Sequence, residues 1–158
     1  MPSPAPTEKP ATKEIVLSVT INETPEVVFK AWTEPKLLSK WWGPKGYSAP
    51  QIHIDPKPGG KIDIIMRSPE GLDYPMIGMF KTVDAPRLLT FSSIGEDEKN
   101  VPHLEAFTTV TFIEENGKTK IALEDSALAL TPHGEKMIAG MMEGWSQSFD
   151  RLTALFNH

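Results

Sequence analysis

The sequence contains no cysteine. That excludes disulfides, thiolate metal sites and cysteine nucleophiles together, and it fits a reducing compartment. No apolar run approaches the roughly twenty residues that span a bilayer, and the opening MPSPAPTEKPATK lacks the apolar core of a signal peptide. A soluble, cytoplasmic chain with no membrane partner is the expectation. Basic residues are too few and too scattered for a phosphate-binding stripe. Sixteen Lys and Arg stand against twenty-one Asp and Glu, a formal charge of -5, so nucleic acid is not an expected partner. Histidines number four and none falls at a metal-ligating spacing, so neither a metal nor another cofactor is expected.

Proline is abundant at the start, taking four of the first ten positions. Residues 1–13 therefore read as a flexible arm that cannot bury enough surface to offset the entropy of ordering. The remainder, 14–158, is the size of one domain with one core.

From Glu14 the pattern alternates. Ile15, Leu17, Val19 and Ile21 share one face of EIVLSVTI, with Glu14, Ser18 and Thr20 on the other, the mark of a half-buried strand. TPEVVFKAW then opens a helix, with Thr24 as its cap, Pro25 in the first turn, and Val28, Phe29 and Trp32 at helical spacing. EPKLLSKWW repeats that signature at Pro35 and is stopped by Gly43 and Pro44. Six strands follow, over residues 47–55, 61–67, 73–83, 88–94, 105–114 and 118–125, and their short connectors imply an antiparallel meander. Asn116-Gly117 suits a two-residue type I′ hairpin. Last, Thr131 and Pro132 open one long helix on which Ile138, Met141, Met142, Trp145, Phe149, Leu152 and Phe156 form an apolar stripe. The predicted class is α+β. About seven strands, in the order β-α-α-β6-α, form a curved antiparallel sheet wrapped around a long C-terminal helix.

The segments VFKAWTEPKLLSKWWGPKGY, IDPKPGGKI, MRSPEG, YPMIGMF and GMMEGWSQSFDRLTALF occur in that order. Together they resemble the activator-of-heat-shock-ATPase-homologue-like family, within the START and birch-pollen-allergen-like helix-grip superfamily (SRPBCC). The resemblance spans residues 14–156. It implies the helix-grip fold and a cavity that often holds a hydrophobic small molecule. It implies no single activity, since superfamily members bind lipids, cyclise or dehydrate polyketides, or assist a chaperone. The co-chaperone that names the family has a separate N-terminal domain that engages the chaperone. Here only the short proline-rich arm precedes the first strand, so ATPase activation is not carried over. Where such families commonly have an aspartate before the proline of the second helix, this chain has Glu34, a weaker cap.

Trp41 and Trp42 would point about 100° apart on a helix, so both cannot face one pocket. One seals the core and the other covers the neighbouring loop or the mouth of the cavity. Methionine re-packs around varied shapes. Met66, Met76 and Met79 lie on central strands, and Met137, Met141 and Met142 lie on the helix expected to face them. The expected cavity lining is Trp41, Met66, Met76, Phe91, Met141 and Trp145. Alternation puts Arg67 with Lys61 and Asp63 on the solvent face, and Glu124 with Lys120; a bulge would bring Arg67 inward to hold a ligand carboxylate. His103, which by the same alternation shares a face with Glu105, is the other polar anchor considered. His133 falls in the first turn of the last helix. No catalytic residue is assigned: GWSQS lies inside a helix and lacks the elbow glycine, and KPGGK joins two strands and opens no helix.

The leading expectation is a non-enzymatic module binding a small hydrophobic or amphipathic molecule. An enzyme of the polyketide cyclase or dehydratase type would instead need an inward Arg67 or His103 for acid–base work. A chaperone-linked interaction protein would work through its surface, with GEDEKN as an acidic docking hint. A homodimer and a chaperone partner both stay open.

Overall fold

The computed structural model describes residues 12–157. The arm expected over residues 1–13 lies outside the described residues except for Thr12 and Lys13, which belong to the first strand, β1 (Thr12–Ile21). They extend it beyond the alternating stretch because their backbones pair with Leu128 and Ala127. Two short helices follow, α1 (Pro25–Thr33) and α2 (Pro35–Leu38). Then come β2 (Ser48–Ile54), β3 (Lys61–Arg67), β4 (Asp73–Asp84), β5 (Leu88–Glu96), β6 (Pro102–Glu115) and β7 (Lys118–Ala129), and finally α3 (Pro132–Ala139) and α4 (Met141–Leu155).

The seven strands form one antiparallel sheet in the order β1-β7-β6-β5-β4-β3-β2. The meander from β2 to β7 follows from its short connectors. Between β6 and β7, Asn116 and Gly117 take φ of 54° and 78°, the pair of positive angles that a type I′ turn requires. Helices α1 and α2 carry the chain across the concave face, so β1 and β2 end on opposite edges. Register shifts in β2 between Ser48 and Gln51, in β4 between Phe80 and Thr82, and in β6 between Pro102 and Leu104, opposite Gly95 and Glu96, add the local bends that curve the sheet.

Two apolar clusters hold helices to sheet. In the larger, Val28, Phe29 and Trp32 of α1 and Phe149 and Leu152 of α4 meet Val110, Phe112, Ile121 and Leu123 of the central strands. Phe29 meets Phe112 edge to face with centroids 5.1 Å apart. The smaller joins Ile138 of α3 to Leu104, Ala106, Ala127 and Ala129.

Three local readings need correction. Thr24 makes no side-chain cap; its amide is taken by the Glu23 carboxylate, and its carbonyl receives the first turn. Helix α2 is a single turn, and Trp41 and Trp42 follow it in a tight turn whose amides bond back to the Leu38 carbonyl. The C-terminal helix is not continuous. At Gly140 the backbone takes φ -94° and ψ 0°, and its amide reaches only three residues back to Met137, so α3 ends and α4 begins. Glycine is the weakest helix former after proline, and there the helix changes direction at least cost. That turn leaves Met142 on the solvent side, 39% exposed, outside the apolar stripe.

Candidate ligand cavity

Between the concave face of the sheet and α3–α4 lies a cavity of about 480 Å³, well within the size range of small-molecule sites. One wall is the loop after α2, with Trp42, Gly43, Pro44 and Tyr47. The sheet supplies Met66, Met76, Phe91 and Ala106, and the helices supply Met137, Met141 and Trp145. Exposed lining residues on α3, His133 and Lys136, mark the open side. A water-sized void of about 20 Å³ shares Trp42, Met76 and Phe91 with the main chamber and reaches toward Trp32, Ile62 and Leu89.

The four tryptophans form one cluster that builds this wall. Trp32 and Trp41 meet at 4.7 Å, Trp41 and Trp42 at 5.7 Å, and Trp42 and Trp145 at 5.5 Å. Trp41, expected in the lining, is fully buried behind it, and its Nε1 donates to the Ala31 carbonyl at 2.9 Å. Trp42, one residue on in the turn, presents its ring to the cavity instead. Trp41→Phe should therefore cost at least about 2 kcal/mol in urea unfolding, from the lost hydrogen bond and the void left by the smaller ring, and leave ligand affinity within about twofold.

Arg151 of α4 fixes the loop in place. Its Nη1 donates to the Trp42, Gly43 and Pro44 carbonyls and its Nη2 to that of Lys40. Burial pushes the guanidinium pKa down from its ordinary value. The Lys45 amide adds a bond to Gln147 Oε1. This guanidinium over a row of carbonyls was not read from the sequence, where Arg151 is one basic residue on a polar helix face.

Arg67 does not reach the cavity. At the end of β3 it is exposed and forks onto Asp73, Nε to Oδ1 at 2.7 Å and Nη2 to Oδ2 at 3.1 Å. The bond raises the Arg67 pKa and lowers that of Asp73. The strand keeps its alternation there, so Met66 faces in and Arg67 out. His103 is buried, while Glu105, expected on the same face, is exposed. The strand bulges there: consecutive Gly95 and Glu96 of β5 pair with Leu104 and Pro102, so His103 is the extra residue of β6, and it and Leu104 both turn inward. His103 offers no free anchor: Nε2 donates to Asp97 Oδ2 at 2.7 Å, Nδ1 bonds the Thr131 hydroxyl, and the ring rests against His133. Thr131 also caps α3 by accepting from the Gly134 amide. The imidazole thus braces the rim by tying the β5–β6 turn to the start of α3.

The His103 bond first, then the Val101 amide, pull the Asp97 pKa from 3.8 down to about 2. The sign follows from the unfolded chain binding the proton more tightly than the folded one. Ionised Asp97 adds stability that is fully present above about pH 4 and is lost as pH falls through about 2. Acid titration followed by circular dichroism should show Asp97→Asn with a flatter stability profile over that interval than the wild type.

One polar group inside the cavity escaped the sequence reading. Asp125 of β7 is 2% exposed and lines the cavity. Its Oδ1 accepts from Thr108 Oγ1 at 2.9 Å and its Oδ2 from Trp145 Nε1 at 2.9 Å. Burial pushes its pKa up, against the pull of those two hydrogen bonds. The hydroxyls of Ser93 and Ser148 lie on the same lining. The signal was present: Ile121, Leu123 and Asp125 have one parity, and the first two are core. Among the described residues no group of three His, Asp or Glu is placed to hold a metal ion.

A curved antiparallel sheet that grips C-terminal helices over an apolar cavity defines a helix-grip domain. The family model described as Activator of Hsp90 ATPase homolog 1-like protein matches residues 22–157, and the chain belongs to that family, within the SRPBCC superfamily. No curated protein matches the sequence. Similar solved structures include a protein from Nitrosomonas europaea, at 25% identity and TM-score 0.72 over 90% of this chain and 92% of that one. A Silicibacter pomeroyi protein titled AHSA1 is 24% identical, with TM-score 0.75 over 90% and 96%. One from Arthrobacter aurescens is 22% identical, with TM-score 0.77 over 90% and 85%. No helix among the described residues is long and apolar enough to cross a membrane.

Proposed function

We propose that this domain binds a small apolar or amphipathic molecule between its sheet and its C-terminal helices. The observation that carries the reading is the cavity of about 480 Å³, open on one side and walled by methionine and aromatic side chains. A core of ordinary density leaves few voids larger than a water molecule, so a chamber of this size amounts to space reserved for something else. Methionines on both walls suit a tolerant fit, since an unbranched thioether adjusts to the shape beside it. The cyclase or dehydratase reading lacks the residues assigned to it, because Arg67 pairs with Asp73 outside and both nitrogens of His103 are engaged. The cysteine-free composition supports a cytoplasmic setting, which localisation of a tagged chain would check.

Native mass spectrometry of gently purified protein beside a denaturing spectrum tests the proposal. A reproducible extra mass, released on denaturation and recovered by organic extraction, or uptake of an added apolar dye, is the expected result. A chain that carries no extra mass and takes up none of a panel of apolar probes would overturn it.

A further inference from the structure

We infer that Asp125 is the polar anchor of this cavity and that the ligand it receives is a small apolar amine. The inference rests on the binding reading above and adds the chemistry of the ligand's head. A carboxylate offers about four lone-pair sites. Thr108 and Trp145 fill one on each oxygen, which leaves acceptor capacity on both. No basic side chain pairs with it among the described residues: the ion pairs are Lys57–Asp55, Arg67–Asp73, Arg87–Asp84 and His103–Asp97, all elsewhere. A buried carboxyl without a countercharge is costly to keep ionised, and it is kept where a partner arrives with the charge. A protonated amine brings that charge together with several N–H donors. The same cavity wall carries the aromatic rings of Trp42, Phe91 and Trp145, and aromatic rings attract a cation more than an anion to their faces.

Other charges on the lining lie at its open side. Glu96, Lys136 and His133 sit where solvent reaches, so Asp125 is the ionisable group on the buried part of the wall. A ligand carboxylate would bring a further negative charge into the same apolar surround, with no basic group on the buried wall to balance it. Arg67, which would have selected an acid had a bulge brought it inward, stays on the solvent face with Asp73.

A matched series tests this: pyrenemethylamine, pyrenemethanol and pyrenecarboxylic acid, titrated into wild type and Asp125→Asn with directly excited pyrene emission as the readout. Asparagine keeps the shape and both contacts, with Oδ1 accepting from Trp145 and Nδ2 donating to the Thr108 hydroxyl. The expected wild-type order is amine, then alcohol, then acid, with the amine at least about tenfold tighter than the alcohol. Asp125→Asn should erase that advantage and leave the alcohol within about threefold of wild type. Equal affinities across the wild-type series would overturn the amine assignment while the cavity reading stood, and that comparison needs no variant to fold. A preference retained in Asp125→Asn would also overturn it. Failure of all three pyrenes to bind wild type would remove the cavity reading itself.

Discussion

Gly134→Ala is expected to destabilise the protein by at least ~3 kcal/mol, although alanine in place of a helical glycine ordinarily stabilises by roughly 1 kcal/mol. The opposite sign comes from contact. A Cβ on residue 134 would stand 1.9 Å from the His103 carbonyl oxygen and 2.9 Å from its carbon. That oxygen has no freedom to retreat, because it also accepts the Leu130 amide at 2.8 Å, at the end of β7. Helix α3 must lift instead. Lifting it breaks the Thr131 cap and draws Ile138 out of its cluster with Leu104, Ala127 and Ala129. It also displaces His133, Lys136 and Met137 from the open side of the cavity, so ligand affinity should fall with stability. Thermal unfolding reads the outcome as a midpoint lower by about 6 °C or more, taking about 2 °C per kcal/mol for a chain of this size. An unchanged or raised midpoint would show that the close approach of α3 to β6 is wrong.

Filling the chamber from the sheet side separates a pocket from a generously packed core. Ala106 lies on the inner face of β6, opposite Ser93 of β5, and both line the cavity. Ala106→Trp puts an indole into the space. In a filled core, overpacking of this kind costs about 1–3 kcal/mol or more. In an unfilled chamber the new ring gains contacts, so urea unfolding should place the variant within about 1 kcal/mol of wild type. Affinity for pyrenemethanol should drop at least about thirtyfold, because the ring occupies the volume the ligand needs. A large stability loss with unchanged binding would mean that the probe sits elsewhere.

Much of this architecture could be read from local pattern. The alternation in β1 and the Asn116-Gly117 turn fix strand and hairpin through backbone geometry that depends on a few adjacent residues. Proline in the first turn marks the starts of α1, α2 and α3 for the same reason. Where reading failed, the deciding contact was distant in sequence. Which of Trp41 and Trp42 faces the cavity is set by the Ala31 carbonyl and by Arg151, which holds the loop through three consecutive carbonyls. His103 turned inward because it is the extra residue of a bulge in β6, fixed by the pairing with β5 and not by any local signal in its own stretch. Asp125 is the instructive case. Its parity with Ile121 and Leu123 placed it inside, but a carboxyl on a core parity is easily passed over until its partners, Thr108 and Trp145, are seen around it.

The methionines allow the most direct measurement of where a ligand sits. With methyl-labelled methionine, Met66, Met76, Met137 and Met141 report from the cavity wall, whereas Met79 and Met142 are exposed, at 42% and 39%, and lie outside it. Adding pyrenemethanol should shift the four wall methyl signals by ring current and leave Met79 and Met142 in place. Shifts confined to Met79 or Met142, or no shift at the four wall positions on saturation, would contradict a ligand site between the sheet and its helices.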